Sequence, residues 1–307
     1  MSSERSDRRV LIVSHPQRED MPGLTRKVLD RLHVDGMRGV LLEAEVGRLE
    51  VGNHPAVQIA DPAAPAAGCE LICVLGGDGT LLWAAELGRG SGVPLLGVNL
   101  GHVGFLAEAE REELDATVDR IAARDYTVEE RLALEVTGYV AGEVFFEDWA
   151  LNEISVEKAA RERMLELTVE VDGRPLSTWG ADGVVISTPT GSTAYAFSAG
   201  GPVVWPDVEA MLLVPLSAHA LFARPLVVGP SSQLAVEIIP DTEGVGVVWA
   251  DGRRTQELPP GARLEVRTSP DPVRFARLSS APFTDRLVAK FDLSVHGWRG
   301  RGRGSAR

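Results

Sequence analysis

Three runs of polar and glycine residues interrupt the apolar stretches of this chain, and each has the make-up of a ligand site. The first is Gly76-Gly77-Asp78-Gly79-Thr80, between the apolar run Leu71–Leu75 and the helical spacing of Leu81, Leu82, Ala85 and Glu86. Glycines let a backbone approach an anion closely, and a helix N-terminus adds free N–H groups aimed at it. A carboxylate in that setting has three uses: accepting a proton from an attacking hydroxyl, bonding a ribose, or holding a cation. The plainer reading of Asp78 is a helix cap. The second run is Asn152-Glu153, after Trp149-Ala150-Leu151. An amide that donates and accepts, beside a carboxylate that takes two donors, suits a base edge or a ribose diol. The same pair is also commonplace in an exposed turn.

The third run extends from Ala181-Asp182-Gly183 to Gly200-Gly201-Pro202, through Thr188-Pro189-Thr190-Gly191-Ser192-Thr193-Ala194-Tyr195-Ala196-Phe197-Ser198. Small hydroxyl-bearing residues cannot build a hydrophobic core, and long loops without structure are uncommon in compact domains unless they act. Close backbone approach, adaptable hydroxyls and a flat ring at Tyr195 suit a dinucleotide better than a small acid. The alternative is an ordinary surface loop. His219 reads more readily as a structural histidine than a catalytic one. The glycines around His102 fail the G-x-G-x-x-G spacing, so Gly97–Phe105 is taken as a second loop bordering the crevice of the first. Cys69 and Cys73 are too few for a zinc site and lie in an apolar run expected to be buried.

These runs must be held by two kinds of scaffold. Up to about residue 126, apolar runs at Val10–Ser14, Val40–Leu42, Leu71–Leu75 and Pro94–Val98 alternate with helical spacing at Leu24, Val28, Leu29 and Leu32, and at Leu114, Val118 and Ile121. That alternation predicts a mostly parallel sheet covered on both faces. From Tyr126 the period becomes two: Leu132, Leu134 and Val136, then Leu165, Leu167, Val169 and Val171, then Leu234, Val236 and Ile238. Asp172-Gly173 and Asp251-Gly252 are hairpin signals. Leu264, Val266, Val273 and Phe275 are read as further strands of this β-rich half. The division expected is residues 1–126 as an α/β domain, 127–280 as a β-rich domain, and 281–307 as a terminal segment. Its end, WRGRGRGSAR, reads as a flexible basic tail rather than an RNA-binding one.

Composition removes other classes. With 31 basic and 44 acidic side chains among 307 residues, the net charge of −13 is wrong for a nucleic-acid binder. No apolar run approaches the roughly 18 residues that cross a bilayer, and Met1–Val10 is too charged for a signal peptide. Two cysteines make no disulfide framework, so a cytoplasmic setting is expected. Only Lys27, Lys158 and Lys290 are lysines, and none stands in a P-loop context.

Together the motifs resemble the NAD kinase family of bacterial type: GGDGT at 76–80, GVNLGHVGFLAE at 97–108, WALNE at 149–153, DGVVISTPTGSTAYAFSAGGP at 182–202, HALFARP at 219–225 and SAPFTDRL at 280–287. GGDG alone is shared with diacylglycerol kinases, sphingosine kinases and phosphofructokinases. The long segment after Asp182, joined to Asn152-Glu153, is far more specific. The resemblance implies phosphoryl transfer from ATP, or also polyphosphate, to the 2′-hydroxyl of NAD's adenosine ribose, with a divalent cation such as Mg²⁺. It implies that Asp78 accepts the proton and that Gly76, Gly77, Gly79 and Thr80 form the phosphate loop. It further implies that Asn152, Glu153, Asp182, Thr193, Ala194, Tyr195, Ala196, Phe197 and Ser198 join Asp78 and Gly79 in contacting NAD, with Arg163 held more loosely. No metal ligand follows from it. An α/β domain, a β-rich domain and a terminal segment packing back on the first are implied, in a homo-oligomer of two or four copies. Asp78 and Asp182 fall in different domains, which puts the expected site between them. One departure stands out: Trp83 occupies a place where relatives often carry arginine.

Overall fold

The computed structural model describes residues 8–101, 104–160, 164–240, 244–279 and 281–295. The alternation read in the first part of the chain becomes β1 (Arg9–Ser14), α1 (Met21–Val34), β2 (Arg38–Leu41), α2 (Glu43–Arg48), β3 (Val57–Ile59), β4 (Leu71–Leu75), α3 (Asp78–Leu87), β5 (Leu95–Asn99), β6 (Ala109–Glu110), α4 (Leu114–Ala123) and β7 (Thr127–Arg131). Every residue of β4 and β5 is buried, as expected of central strands covered on both faces. Helix α1 buries Val28, Leu29 and Leu32 of the expected stripe together with Met21 and Thr25, leaves Leu24 half-buried, and carries a proline in its first turn, where no N–H is needed. Burying each such Leu or Val side chain contributes about 1.5–3 kcal/mol before the entropy of ordering it.

A β-rich stretch follows: β8 (Leu134–Val140), β9 (Glu143–Ala150), β10 (Glu153–Lys158), β11 (Leu165–Val171), β12 (Arg174–Ala181), β13 (Gly183–Ser187), the one-turn helix α5 (Tyr195–Ser198), β14 (Met211–Leu216), β15 (Leu226–Val228), β16 (Leu234–Ile238), β17 (Gly246–Ala250), β18 (Arg254–Leu258) and β19 (Arg263–Thr268). They form two six-stranded sheets, ordered β15-β14-β13-β10-β17-β18 and β12-β11-β16-β19-β8-β9. The neighbouring strands of both pair antiparallel. One core, including Ile154, Val184 and Ile186 from the first sheet and Leu134, Leu167 and Val236 from the second, fills the space between them. Both hairpin signals are realised with left-handed pairs. Asp172 and Gly173, with φ of 52° and 71°, form a two-residue turn. Asp251 and Gly252, with 52° and 62°, lead a three-residue connection that Arg253 completes before Ala250 pairs with Arg254.

The chain then returns through β20 (Val273–Arg277) and α6 (Phe283–Phe291). The first sheet runs β3-β2-β1-β4-β5-β20-β7, with β6 also on β5. Its pairs β2–β3, β1–β2, β1–β4, β4–β5, β5–β6 and β5–β20 are parallel. This corrects two expectations. Phe275, on β20, belongs to the first sheet, where it faces Leu95, and not to the β-rich half; Val273 opens that strand and is the last residue of the second unit. The return also starts at β20, before residue 281. Alternation alone cannot say which sheet a strand joins. The compact units are accordingly the residues up to Glu129 rejoined from Arg274, and Glu130–Val273. The basic tail, residues 298–307, lies outside the described residues.

Candidate functional site

In the first unit, the Gly-rich run turns the chain from the carboxyl end of β4 into α3. Gly77 is the N-cap and Asp78 the first helical residue. Its carboxylate does not cap the helix. Oδ2 accepts the Phe105 N–H at 3.1 Å, and Oδ1 accepts the Leu106 N–H at 3.2 Å, both from the loop after β5. The two loops thus border one another, and a Cβ at Gly104 would run into Asp78 Oδ1, so a larger residue there displaces the carboxylate or the loop. Gly76 packs its backbone on the Thr80 side chain, whereas Gly77 and Gly79 face open space and leave their backbone free to approach a ligand. Trp83 is half-buried on α3. Arginines do reach this carboxyl edge: Arg48 Nη2 donates to Ser14 Oγ at 2.6 Å, at the end of β1, and Arg18 Nη1 donates to the Leu100 carbonyl at 2.8 Å, past the end of β5. His102 lies outside the described residues.

In the second unit, Asn152 and Glu153 are buried rather than sitting in an exposed turn. The segment from Thr188 to Ser198 locks onto them. Asn152's carbonyl accepts the Thr188 N–H at 2.9 Å and the Ser187 hydroxyl at 3.1 Å, and Thr188 Oγ1 donates to the Leu151 carbonyl at 2.6 Å. Gly191 packs so tightly on the Asn152 carbonyl that a Cβ would collide with it. The segment is therefore not an open loop. Thr190–Thr193 forms a 3₁₀ turn and Tyr195–Ser198 a helical turn, because its own hydroxyls and amides satisfy the backbone, as in Gly191 N–H to Thr188 Oγ1 at 3.0 Å.

A cavity of about 490 Å³ opens beside this segment, lined by Glu157, Lys158, Asp182, Tyr195, Ser198 and Ser217 among others. Lys158 Nζ lies 2.5 Å from Asp182 Oδ1. That hydrogen bond, chiefly, holds the Asp182 carboxyl below its ordinary range. The Tyr195 hydroxyl donates to Glu157 Oε2 at 3.2 Å, and burial followed by the charge of Glu157 pushes the phenol up to about 12. Glu153 sits deeper: burial, then the charge of Asp251, pushes its carboxyl up to about 8, against the opposing bond from the Tyr195 N–H.

The structure gathers Asp182, Tyr195 and Ser198 on this cavity and sets Asn152 and Glu153 behind Tyr195. It does not gather all the residues named from the sequence. Ala196 is turned into the sheet against Val185, Leu212 and Val214, and Phe197 is exposed and does not line the cavity. Thr193 Oγ1 donates to the Thr190 carbonyl at 3.3 Å, and the Ala194 N–H donates to Gly191. Arg163 lies outside the described residues. His219 is exposed, its N–H bonded to the Gly180 carbonyl. Cys69 and Cys73 are buried free thiols pushed up to about 11 and about 12 by burial, which removes them from thiolate chemistry.

Sequence reasoning missed Glu157, Lys158 and Asp251. Lys158 carried one signal, as one of few lysines at the end of an alternating run. Asp251 was read only as a turn former. Its buried carboxylate also accepts the N–H groups of Leu151, Asn152 and Glu153, at 2.9, 2.6 and 3.3 Å.

A glycine loop at a helix N-terminus on a parallel sheet, with a carboxylate set in it, followed by a β-sandwich carrying a polar cavity, defines a two-unit nucleotide-handling architecture. The comparisons make it particular. Residues 10–126 match the ATP-NAD kinase N-terminal domain and residues 151–278 the ATP-NAD kinase C-terminal domain. The chain is 56% identical over 295 residues to NAD kinase 2 of Streptomyces avermitilis, covering 95% of this chain and 97% of that one. It is 55% identical over 308 residues to the NAD kinase of Thermobifida fusca, covering 98% and 94%. Its fold is that of yeast NADH kinase complexed with NADH, with a TM-score of 0.86 at 23% identity over 95% of this chain and 90% of that one. An NAD kinase from Archaeoglobus fulgidus in complex with ATP superposes with a TM-score of 0.69 at 24% identity, covering 93% and 100%. The chain belongs to the ATP-NAD kinase family and is an enzyme.

Proposed function

We propose that this chain transfers the terminal phosphoryl group of ATP to the 2′-hydroxyl of the adenosine ribose of NAD, making NADP. The new bond joins the ribose oxygen to phosphorus, the bond to the bridging oxygen of ADP breaks, and the hydroxyl proton passes to Asp78. The observation that carries the reading is the posture of Asp78. Two backbone N–H groups fix its carboxylate at the head of α3 without a neutralising cation among their bonds. A carboxylate so oriented has lone pairs left for a hydroxyl, and a positioned base contributes roughly 10²–10⁴-fold. The glycine backbone and helix N-terminus beside it supply donors for phosphoryl oxygens, where charge builds in the transition state.

NAD recognition is assigned to the second unit. Asp182 and Tyr195 offer an acceptor and a flat ring at the cavity. The buried Asn152-Glu153 pair supports a role in adenine or ribose recognition. Thr193, Ala194, Ala196 and Phe197 enter this reading as the backbone frame of the segment, and Arg163 stays a proposed contact. Magnesium is proposed to travel on the donor's phosphates. Among the described residues no three His, Cys, Asp or Glu side chains gather to hold it, and no step here depends on it. The reading includes a cytoplasmic homo-oligomer, a dimer or tetramer, and polyphosphate as a second donor.

The test is direct. The protein is incubated with NAD, Mg²⁺ and either ATP or polyphosphate, and NADP is read by an NADP-specific dehydrogenase. NADP is expected with ATP, and Asp78→Asn is expected to lose two or more orders of magnitude in kcat while still binding NAD. Absence of NADP with both donors overturns the reading, and an unimpaired Asp78→Asn removes Asp78 from the chemistry.

A further inference from the structure

The peptide group between Phe105 and Leu106 is gripped from both ends. Its N–H, on Leu106, donates to Asp78 Oδ1 at 3.2 Å. Its carbonyl, on Phe105, accepts Arg286 Nη1 at 3.0 Å, from helix α6. A peptide group is planar, with its C=O and N–H pointing in opposite directions, so fixing the carbonyl also aims the amide. The same Nη1 donates to the Ala107 carbonyl at 3.0 Å, and Nη2 donates to Glu108 Oε2 at 2.8 Å. One guanidinium thus holds three residues, Phe105, Ala107 and Glu108, of the segment that holds Asp78. Only its planar fork can do so: an ammonium is a point donor.

The surroundings make this grip stiff. Glu108 is almost fully buried and also pairs with Arg277 Nε at 2.8 Å, on β20. The rings of Phe283 and Phe291 pack against Phe105 at 6.1 and 5.6 Å between centroids, bringing both ends of α6 onto the same loop residue. The bonds of Arg286 and Glu108 do not include the Asp78 carboxylate, and the link from Arg286 to Asp78 runs through the backbone of Phe105 and Leu106. The hydrogen bonds to the peptide also polarise one another, strengthening the amide that Asp78 receives.

We propose that Arg286 is a positioning residue for Asp78, acting through the Phe105–Leu106 peptide plane, so that the terminal helix orients the base. This rests on the reading of Asp78 as proton acceptor. Misplacing a reacting group by about 1 Å costs on the order of 10²-fold in rate, while substrate affinity held elsewhere is untouched.

The experiment compares Arg286→Ala and Arg286→Lys with Val28→Ala, a core change in α1 that lowers stability without touching the loop. Steady-state kinetics and amide hydrogen exchange at Phe105 and Leu106 are measured on the full chain. Arg286→Ala is expected to lower kcat about 10- to 100-fold, with KM for NAD and ATP within about threefold, and to speed exchange of both amides. Arg286→Lys, which keeps a charge beside Glu108, is expected to fall in between and covers the case in which the alanine variant does not fold. Val28→Ala is expected to keep both kcat and amide protection. The proposal is overturned if Arg286→Ala keeps wild-type kcat or wild-type exchange, or if Val28→Ala loses kcat equally. Should the unaltered protein make no NADP, the kinase reading falls, and amide exchange alone still decides whether Arg286 orders the peptide under Asp78.

Discussion

Asp251 Oδ1 accepts the N–H of Asn152 at 2.6 Å, from a hairpin turn nearly a hundred residues further along the chain. The same carboxylate takes the N–H groups of Leu151 and Glu153. Strand β9 ends at Ala150 and β10 begins at Glu153, so the N–H groups of Leu151 and Asn152 lie between strands and need an acceptor, and that of Glu153, the first residue of β10, joins them. The carboxylate supplies one and sets where Asn152-Glu153 can sit.

Replacing Asp251 with alanine strands those three donors in a buried place. Each costs about 1–3 kcal/mol when unmet, less where water enters, so a loss of about 3 kcal/mol is expected in urea unfolding. NAD affinity is expected to fall with it, because the Asn152-Glu153 turn loses its frame. An unchanged unfolding midpoint would show that this turn holds itself.

Glu153 ties stability to pH. Burial and the nearby Asp251 charge push its carboxyl from 4.5 up to about 8 in the folded chain. Between those values the folded state keeps a proton that the unfolded state releases. The contribution is therefore fully present below 4.5 and lost as pH rises through about 8, at up to about 1.4 kcal/mol per pH unit. Glu153→Gln stays neutral throughout. Unfolding midpoints taken at pH 5.5 and 8.5 are expected to drop more for the unaltered protein than for the variant, and parallel curves would contradict the raised carboxyl.

How much of this was legible beforehand differs by feature. The Asp78 loop was fully legible, since five strand residues, three glycines and a helical spacing are local signals. So were the left-handed pairs Asp172-Gly173 and Asp251-Gly252 at the two hairpin turns, the second of which also takes in Arg253. The membership of Phe275 was not, because β20 meets β5 by a pairing far removed in sequence. The segment after Thr188 looked structureless because hydroxyls and amides that close short turns leave no periodic pattern. Lys158, Glu157 and Asp251 act through partners distant in sequence, and a residue read alone carries no trace of its partner. The grip of Arg286 on the Asp78 loop is of the same kind.

Gly104→Ala tests the orientation of Asp78 without altering the carboxylate. A Cβ at this position collides with Asp78 Oδ1, so the side chain or the loop must move. Turnover is expected to fall about 10- to 100-fold while NAD binding, assigned to the second unit, persists in a calorimetric titration. Full turnover in this variant would mean that the Asp78 carboxylate need not stand where its two amides hold it.

Asp182 separates binding from chemistry. Its carboxylate lines the cavity of the second unit and is engaged by Lys158 Nζ at 2.5 Å, an arrangement that presents an ionised acceptor aimed by its partner. Asp182→Ala removes the acceptor and leaves Lys158 without that pairing. A hydrogen bond to a charged group contributes about 1.5–3 kcal/mol, so the dissociation constant for NAD is expected to rise roughly 10- to 100-fold. Asp182→Asn keeps one oxygen of the same shape and is expected to lose less. With NAD at saturation both variants should approach the turnover of the unaltered protein, since Asp78 is intact. Titration and saturating kinetics together check this: unchanged affinity removes the cavity from NAD recognition, and a lasting loss of turnover at saturation gives Asp182 a part in the transfer step itself.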